Sequence, residues 1–323
     1  MLQLVQRFLR IDPREVEFAR RGFSCTDFAV QDRLENVGRV FLRGYHAALD
    51  SSDPAALAGE LDQVALEQRG FAYEGAAMAL MLLDGLFPWR RLQPFLNGPG
   101  RRHIYMVLVG AGWACARLPW LRRRIERVIS HFDPVLRWLA IDGFGFHQGY
   151  FHWPRAADPP SQLSAHAKHV YYQGLGRSLW FVCGAEPANI SRTIARCDAL
   201  YQEDAWSGVG LACAYAGGLS VSRIEELRIH AANFEPAVAQ GAAFAAQARR
   251  LAENPAAHTE AACAVLCGMP AQEAASLCDE TLARIDRRRP SPYQHWRELL
   301  QEALSARRHI DSKTEIGALT RSS

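Results

Sequence analysis

Apolar residues along this chain gather in six runs with helical spacing. They are 71–84 (FAYEGAAMALMLLD), 105–118 (YMVLVGAGWACARL), 139–151 (LAIDGFGFHQGYF), 170–184 (VYYQGLGRSLWFVCG), 205–218 (AWSGVGLACAYAGG) and 238–249 (VAQGAAFAAQAR). Each run carries a Gly followed two residues later by Gly or Ala. The first glycines are Gly75, Gly110, Gly143, Gly174, Gly208 and Gly241, at intervals of 35, 33, 31, 34 and 33 residues. A period in the thirties is the signature of stacked helical units.

At about 100° per residue the recurring Gly assigns the faces of each helix. The small residue two places on lies nearly opposite, so each helix offers a close approach on both flanks. A mid-helix Gly costs about 1 kcal/mol against Ala, and contact with two neighbours supplies a reason to keep it. The residue after the Gly reads Ala76, Ala111, Phe144, Leu175, Val209 and Ala242, an apolar column expected to face outward to partner helices. The residue before it reads Glu74, Val109, Asp142, Gln173, Ser207 and Gln240, five polar groups of six in apolar surroundings. That column is expected to face a concave surface or lumen. Three residues beyond the Gly, the same face continues with Met78, Trp113, Phe146, Arg177, Leu211 and Phe244; Tyr105, Trp138, His169 and Trp180 extend it.

Shorter segments between the runs suit outer partner helices, at 118–129, 187–199 and 220–232. A weaker early unit is 34–49, phased on Gly38, with 53–68; a later one is 256–266 with 271–285. Prolines at 154, 159 and 160 predict a loop over 152–164, a candidate functional insertion. The expected fold is all-α: about seven to eight helical hairpins in a tetratricopeptide-like α-solenoid, left open or closed into an α/α toroid. Residues 1–310 form one repeat domain and 311–323 a flexible tail.

Composition narrows the function classes. With 37 basic and 34 acidic residues the net charge is +3, too balanced to imply nucleic acid. The arginine clusters at 90–91, 101–102, 122–124 and 287–289 lie between the runs and read as solvated faces. Eight cysteines without a C-x-x-C pair read as buried thiols in a reducing compartment. The N-terminus lacks a signal-peptide pattern, and the longest charge-free apolar stretch, 104–116, is shorter than the roughly 20 residues of a membrane span. These features predict a soluble, cytoplasmic protein.

The inward columns are apolar and aromatic with few polar groups, as in a site for a long unsaturated or aromatic ligand. Candidate ligand-binding residues are Trp113, Trp138, Phe146, Gln173, Trp180, Gln240 and Phe244. Candidate catalytic residues are Glu74, Asp142, His169 and Arg177. A carboxyl in an apolar groove has a raised pKa suited to acid or base work; the structural alternative pairs Glu74 or Asp142 with Arg177. Four histidines, His147, His152, His166 and His169, fall within 23 residues. They match no metal motif, and packing or hydrogen-bonding roles are favoured. No metal is assigned and the cofactor is unknown. Gly174–Ser178 lacks the features of a phosphate loop, and no G-x-S-x-G elbow exists.

The segments FARRGF, GRVFLRGYHAAL, RGFAYEGAAMALMLLD, YMVLVGAGWACARLP, DGFGFHQGYFH, QGLGRSLWFVCG, WSGVGLACAYAGG and QGAAFAAQAR together resemble a bacterial family of uncharacterised domains, the UnbL-type enediyne biosynthesis proteins. The resemblance spans residues 18–282. It implies a role in turning the linear polyene of an iterative polyketide synthase into an enediyne core. It also implies a complex with other proteins of the assembly, among them a membrane partner that recruits the chain. No catalytic residue is carried over. Two functions remain open: a protein that holds a polyene and assists its conversion, and a non-catalytic scaffold or carrier.

Overall fold

The computed structural model describes the backbone of residues 2–319 and the side chains of residues 6–307. Its described residues form helices and turns with no strand. Seven long inner helices make the array: α1 (Phe28–Asp50), α2 (Arg69–Leu86), α3 (Ile104–Arg117), α4 (Leu139–His152), α5 (Ala165–Val182), α6 (Gln202–Ala216) and α7 (Glu235–Leu251). Each packs on the next, and α7 continues onto α8 (Ala271–Ala283). The six sequence runs are α2 to α7, with ends displaced by a few residues.

The glycines are the packing devices that the phasing predicts. A methyl group on Gly75, Gly110, Gly143, Gly174, Gly208 or Gly241 would overlap a carbonyl of the preceding inner helix, at Phe41, Glu74, Val109, Asp142, Gln173 and Ser207 respectively. The second small position does the same on the other flank. Gly112, Gly145, Gly176 and Gly210 lie on the carbonyls of Ala140, Tyr171, Ala205 and Val238 in the following helix. The outward column, Ala76 through Ala242, is fully buried.

This register corrects the earliest unit. Gly44 lies on Ala72 of α2, and Phe41 receives Gly75. Leu42 and Gly44 therefore hold the repeat positions in α1. Gly38 instead makes room for Val16 of the N-terminal segment.

The outer layer is less regular than a row of hairpins. The segment 118–129 breaks into Pro119–Arg122 and Ile125–Val128, and 187–199 holds one short helix, Pro187–Ile194. Val221–Ala231 and Ala257–Leu266 are fuller partners. The Pro-rich loop is present, with a single 3₁₀ turn at Arg155–Ala157 and a cis Trp153–Pro154 bond. At the C-terminus, α9 (Pro292–Leu319) is helical through 311–319, where a tail was expected; 320–323 lie outside the described residues. No single helix among the described residues is long and apolar enough to cross a membrane.

Residues that follow the glycines meet one another along the array: Trp113 packs on Phe146, and Phe146 on Phe181, with ring centroids 5.0 and 5.5 Å apart. Residues that precede the glycines also meet, as Ser207 and Gln240 do. Successive inner helices therefore run in the same sense. The array also curls on itself. Phe71 of α2 stacks edge-on against Tyr215 of α6 at 5.2 Å. Arg249 of α7 donates to the Glu67 carbonyl at 3.0 Å, and Arg33 of α1 to the Ala216 carbonyl at 2.7 Å. The concave face is thus wrapped into a lumen.

Candidate functional site

The lumen has two halves. The first is an apolar cavity enclosing about 800 Å³, its open mouth included. Its wall is built mostly by residues that follow the glycines: Met78, Trp113, Phe146, Arg177 and Leu211, the inward column expected from sequence. Phe41 of α1, His147 and Tyr150 of α4, and Tyr215 of α6 also face it, outside the columns that the glycine phase defines. These lie seven or four places past a glycine, or in the helix whose register was misread. Ile11, Glu15 and Val16 of the N-terminal segment cover one side.

Glu74 is the buried carboxyl of this cavity, 3 % exposed. Burial pushes its pKa up to about 7, partly offset by the Arg177 charge and reinforced by Asp142. Desolvation dominates because a carboxylate in apolar surroundings loses its hydration. Trp113 sits beside it and lowers the value slightly, although its indole N–H closes no hydrogen bond of normal geometry. His147, buried among Trp113 and Phe151, is held neutral: desolvation and the charges of Arg117, His152, Arg21 and Arg122 drive its pKa well down. Arg117, the last residue of α3, is the exposed member of the cavity lining and has no carboxylate partner among the described residues.

The second half is polar and filled. Asp142 is fully buried and forms an ion pair with Arg177, the structural alternative weighed from sequence. It also accepts a 2.8 Å hydrogen bond from the Gln173 amide. Gln173 in turn bonds the Tyr293 hydroxyl of α9 at 2.9 Å. A parallel chain runs beside it. His169 Nδ1 lies 2.7 Å from Asp204, which takes the Arg297 guanidinium of α9 at 2.6 Å. Arg297 Nε also reaches Gln240 at 3.3 Å, and Gln240 accepts from the Ser207 hydroxyl. The Asp204 hydrogen bond raises the His169 pKa against a desolvation penalty.

The candidate residues are therefore divided. Glu74, Arg177, Trp113 and Phe146 line the apolar cavity. Asp142 and Phe244 border, with Arg177, a narrower cavity farther in. Gln173, Gln240 and His169 belong to the polar network. His169 does not reach the cavity; it packs on Tyr201 at 5.0 Å. Trp138 packs against His166 at 4.2 Å, and Trp180 is fully buried with its indole donating to the Gly217 carbonyl. Trp138 ends the 3₁₀ turn Leu136–Trp138 just before α4, outside the helix to which the glycine phase applies, and Trp180 lies one position short of the lumen-facing Phe181 in α5. No group of three or more potential metal ligands exists among the described residues.

Neither a curated protein nor a solved structure matches the chain. One family model does, over residues 1–304, described as "Protein of unknown function (DUF1702)". That span takes in the whole inner array and the first half of α9, so the lumen and both of its halves are features of a chain that belongs to the DUF1702 family.

Proposed function

We propose that the apolar half of the lumen binds an elongated unsaturated molecule, a linear polyene of the kind an enediyne polyketide synthase makes, and that Glu74 assists its conversion toward the enediyne core. The observation that carries the ligand class is the wall itself: aromatic rings of six inner helices, α1 to α6, line one cavity that holds a single buried carboxyl. An acid with a pKa near 7 can both give and accept a proton at neutral pH. The biosynthetic setting rests on the resemblance of the motif segments to UnbL-type proteins, and a complex with other members of such an assembly belongs to the same reading.

A carrier role is the second reading. It is favoured by the Asp142–Arg177 pair, which commits two of the charged groups of the lumen to each other and so removes them as acid or base. Glu74→Gln separates the two. The test is binding of a fluorescent conjugated polyene to the purified protein, with the polyene products of a host carrying each variant. Retained binding with lost conversion supports catalysis. Retained binding with normal product supports the carrier. Loss of polyene binding by the wild-type protein would sink both.

A further inference from the structure

The cavity wall holds polar atoms that the protein leaves unpartnered. Trp113 Nε1 is buried and closes no hydrogen bond of normal geometry, although it lies near enough to the Glu74 carboxyl to lower its pKa. His147 Nδ1 is buried and unpaired, on a ring 5.5 Å from the Trp113 ring. The Glu74 carboxyl lies beside Trp113 and forms no salt bridge. All three residues line the same cavity and come from three successive helices, α2, α3 and α4. Each buried polar group left without a partner is costly, so native proteins rarely keep several together without a ligand or water to satisfy them.

We infer that the bound molecule carries an oxygen acceptor, a conjugated carbonyl, which the Trp113 N–H and the Glu74 carboxyl engage inside the cavity. This rests on the cavity being the ligand site and specifies the ligand further. A bare hydrocarbon would satisfy the aromatic wall and leave Trp113 and Glu74 without a partner in the ligand. A carbonyl at the end of a polyene accepts two hydrogen bonds, one from the indole and one from the protonated carboxyl. Burial favours that protonated form of Glu74. The rest of the chain then lies along Phe146, Tyr150 and Phe181 toward Arg117, the exposed residue of the lining. The arrangement fixes the ligand's direction, oxygen inward and hydrocarbon outward.

The test compares a decatetraenal with the decatetraene of the same length, titrated into the full-length protein. The aldehyde is expected to bind about tenfold more tightly, the discrimination of one well-made hydrogen bond to a polarised group. Its absorption band should shift to the red on binding, because donors at the carbonyl oxygen stabilise the excited state's charge. Trp113→Phe keeps a ring and removes the N–H. It should lose most of the tenfold preference and part of the red shift while its affinity for the hydrocarbon stays within about twofold. The inference is overturned if the hydrocarbon binds as tightly as the aldehyde, or if Trp113→Phe leaves preference and spectrum unchanged. If neither probe binds, the cavity-binding reading fails with it, which distinguishes the two failures. Should Trp113→Phe fold poorly, Glu74→Leu gives the same comparison from the other side of the carbonyl.

Discussion

The two halves of the lumen are lined by the same inward stripes and end in opposite states. Toward the residues that precede the glycines, Asp142, Gln173, Asp204 and Gln240 are tied together and closed by Tyr293 and Arg297 of α9. Toward the residues that follow them, Trp113, Phe146 and Tyr150 surround open space, and Glu74 and His147 lack ionic partners. Polar side chains in a lumen can satisfy one another only if something brings donors to acceptors. α9 does this for most of one half, where the Gln240 amide nitrogen alone of the named network is left over, and no described residue does it for the carboxyl and indole of the other. The difference teaches where a ligand belongs: in the half the fold leaves unfinished.

The closed half should break most severely. Arg297 is 1 % exposed and its removal strands Asp204 inside with only the half-buried His169. Arg297→Ala is expected to cost about 3–5 kcal/mol, read by urea denaturation, because the Asp204 charge stays buried without its guanidinium partner. A loss under 1 kcal/mol would mean that α9 is not what finishes this half.

Glu74 tests the open half through pH. Its folded pKa is raised from 4.5 to about 7, so the native state keeps a proton that the unfolded chain has released. The stabilisation is complete below pH 4.5 and is lost as the pH climbs through about 7. Over that window the wild-type protein should lose about 3 kcal/mol relative to Glu74→Gln. Equal slopes for the two proteins would remove the buried-carboxyl argument. His169 shifts in the same direction, raised by Asp204, and persists in both proteins, so it cancels in the difference.

Gly174→Ala leaves every lumen side chain in place, but its methyl would meet the backbone carbonyl of Asp142. Overpacking at such a contact is expected to cost about 1–3 kcal/mol. Gly59→Ala, in the short helix Pro54–Leu61 with nothing within 4 Å, should instead gain up to about 1 kcal/mol. Melting both variants separates close packing from helix propensity. Arg117→Ala, at the mouth, should change stability by less than about 0.5 kcal/mol, since the side chain is exposed and unpaired. A larger loss would show that the mouth is held shut.

Much of this was legible from residue order. The spacing of small residues located six inner helices, and the phase about each Gly placed Trp113, Phe146 and Arg177 on the lumen wall. The pairing of Asp142 with Arg177 was one of two readings; the structure chose it. Other features were out of reach. Gly38 lies four residues from a true repeat position, Leu42, and without α2 beside it nothing distinguishes them. Trp138 and Trp180 carry the right chemistry on the wrong side: Trp138 lies in a 3₁₀ turn before α4, where the α-helical phase does not apply, and Trp180 is one position short of Phe181, the residue that faces the cavity. Tyr293, Trp296, Arg297 and Leu300 follow helical spacing, which shows that α9 has a packed face without saying what it packs against.

By itself, then, the sequence determined the repeat, the helix faces and the apolar, aromatic character of the interior. Those depend on 3.6-residue periodicity and on contacts between neighbours in the array. Only the tertiary structure decided which polar groups would be satisfied and where the cavity would lie. Those outcomes rest on meetings such as Gln173 with Tyr293, 120 residues apart, and Phe71 with Tyr215. Such contacts follow from the curvature that many small packing angles accumulate, and no local pattern records that sum.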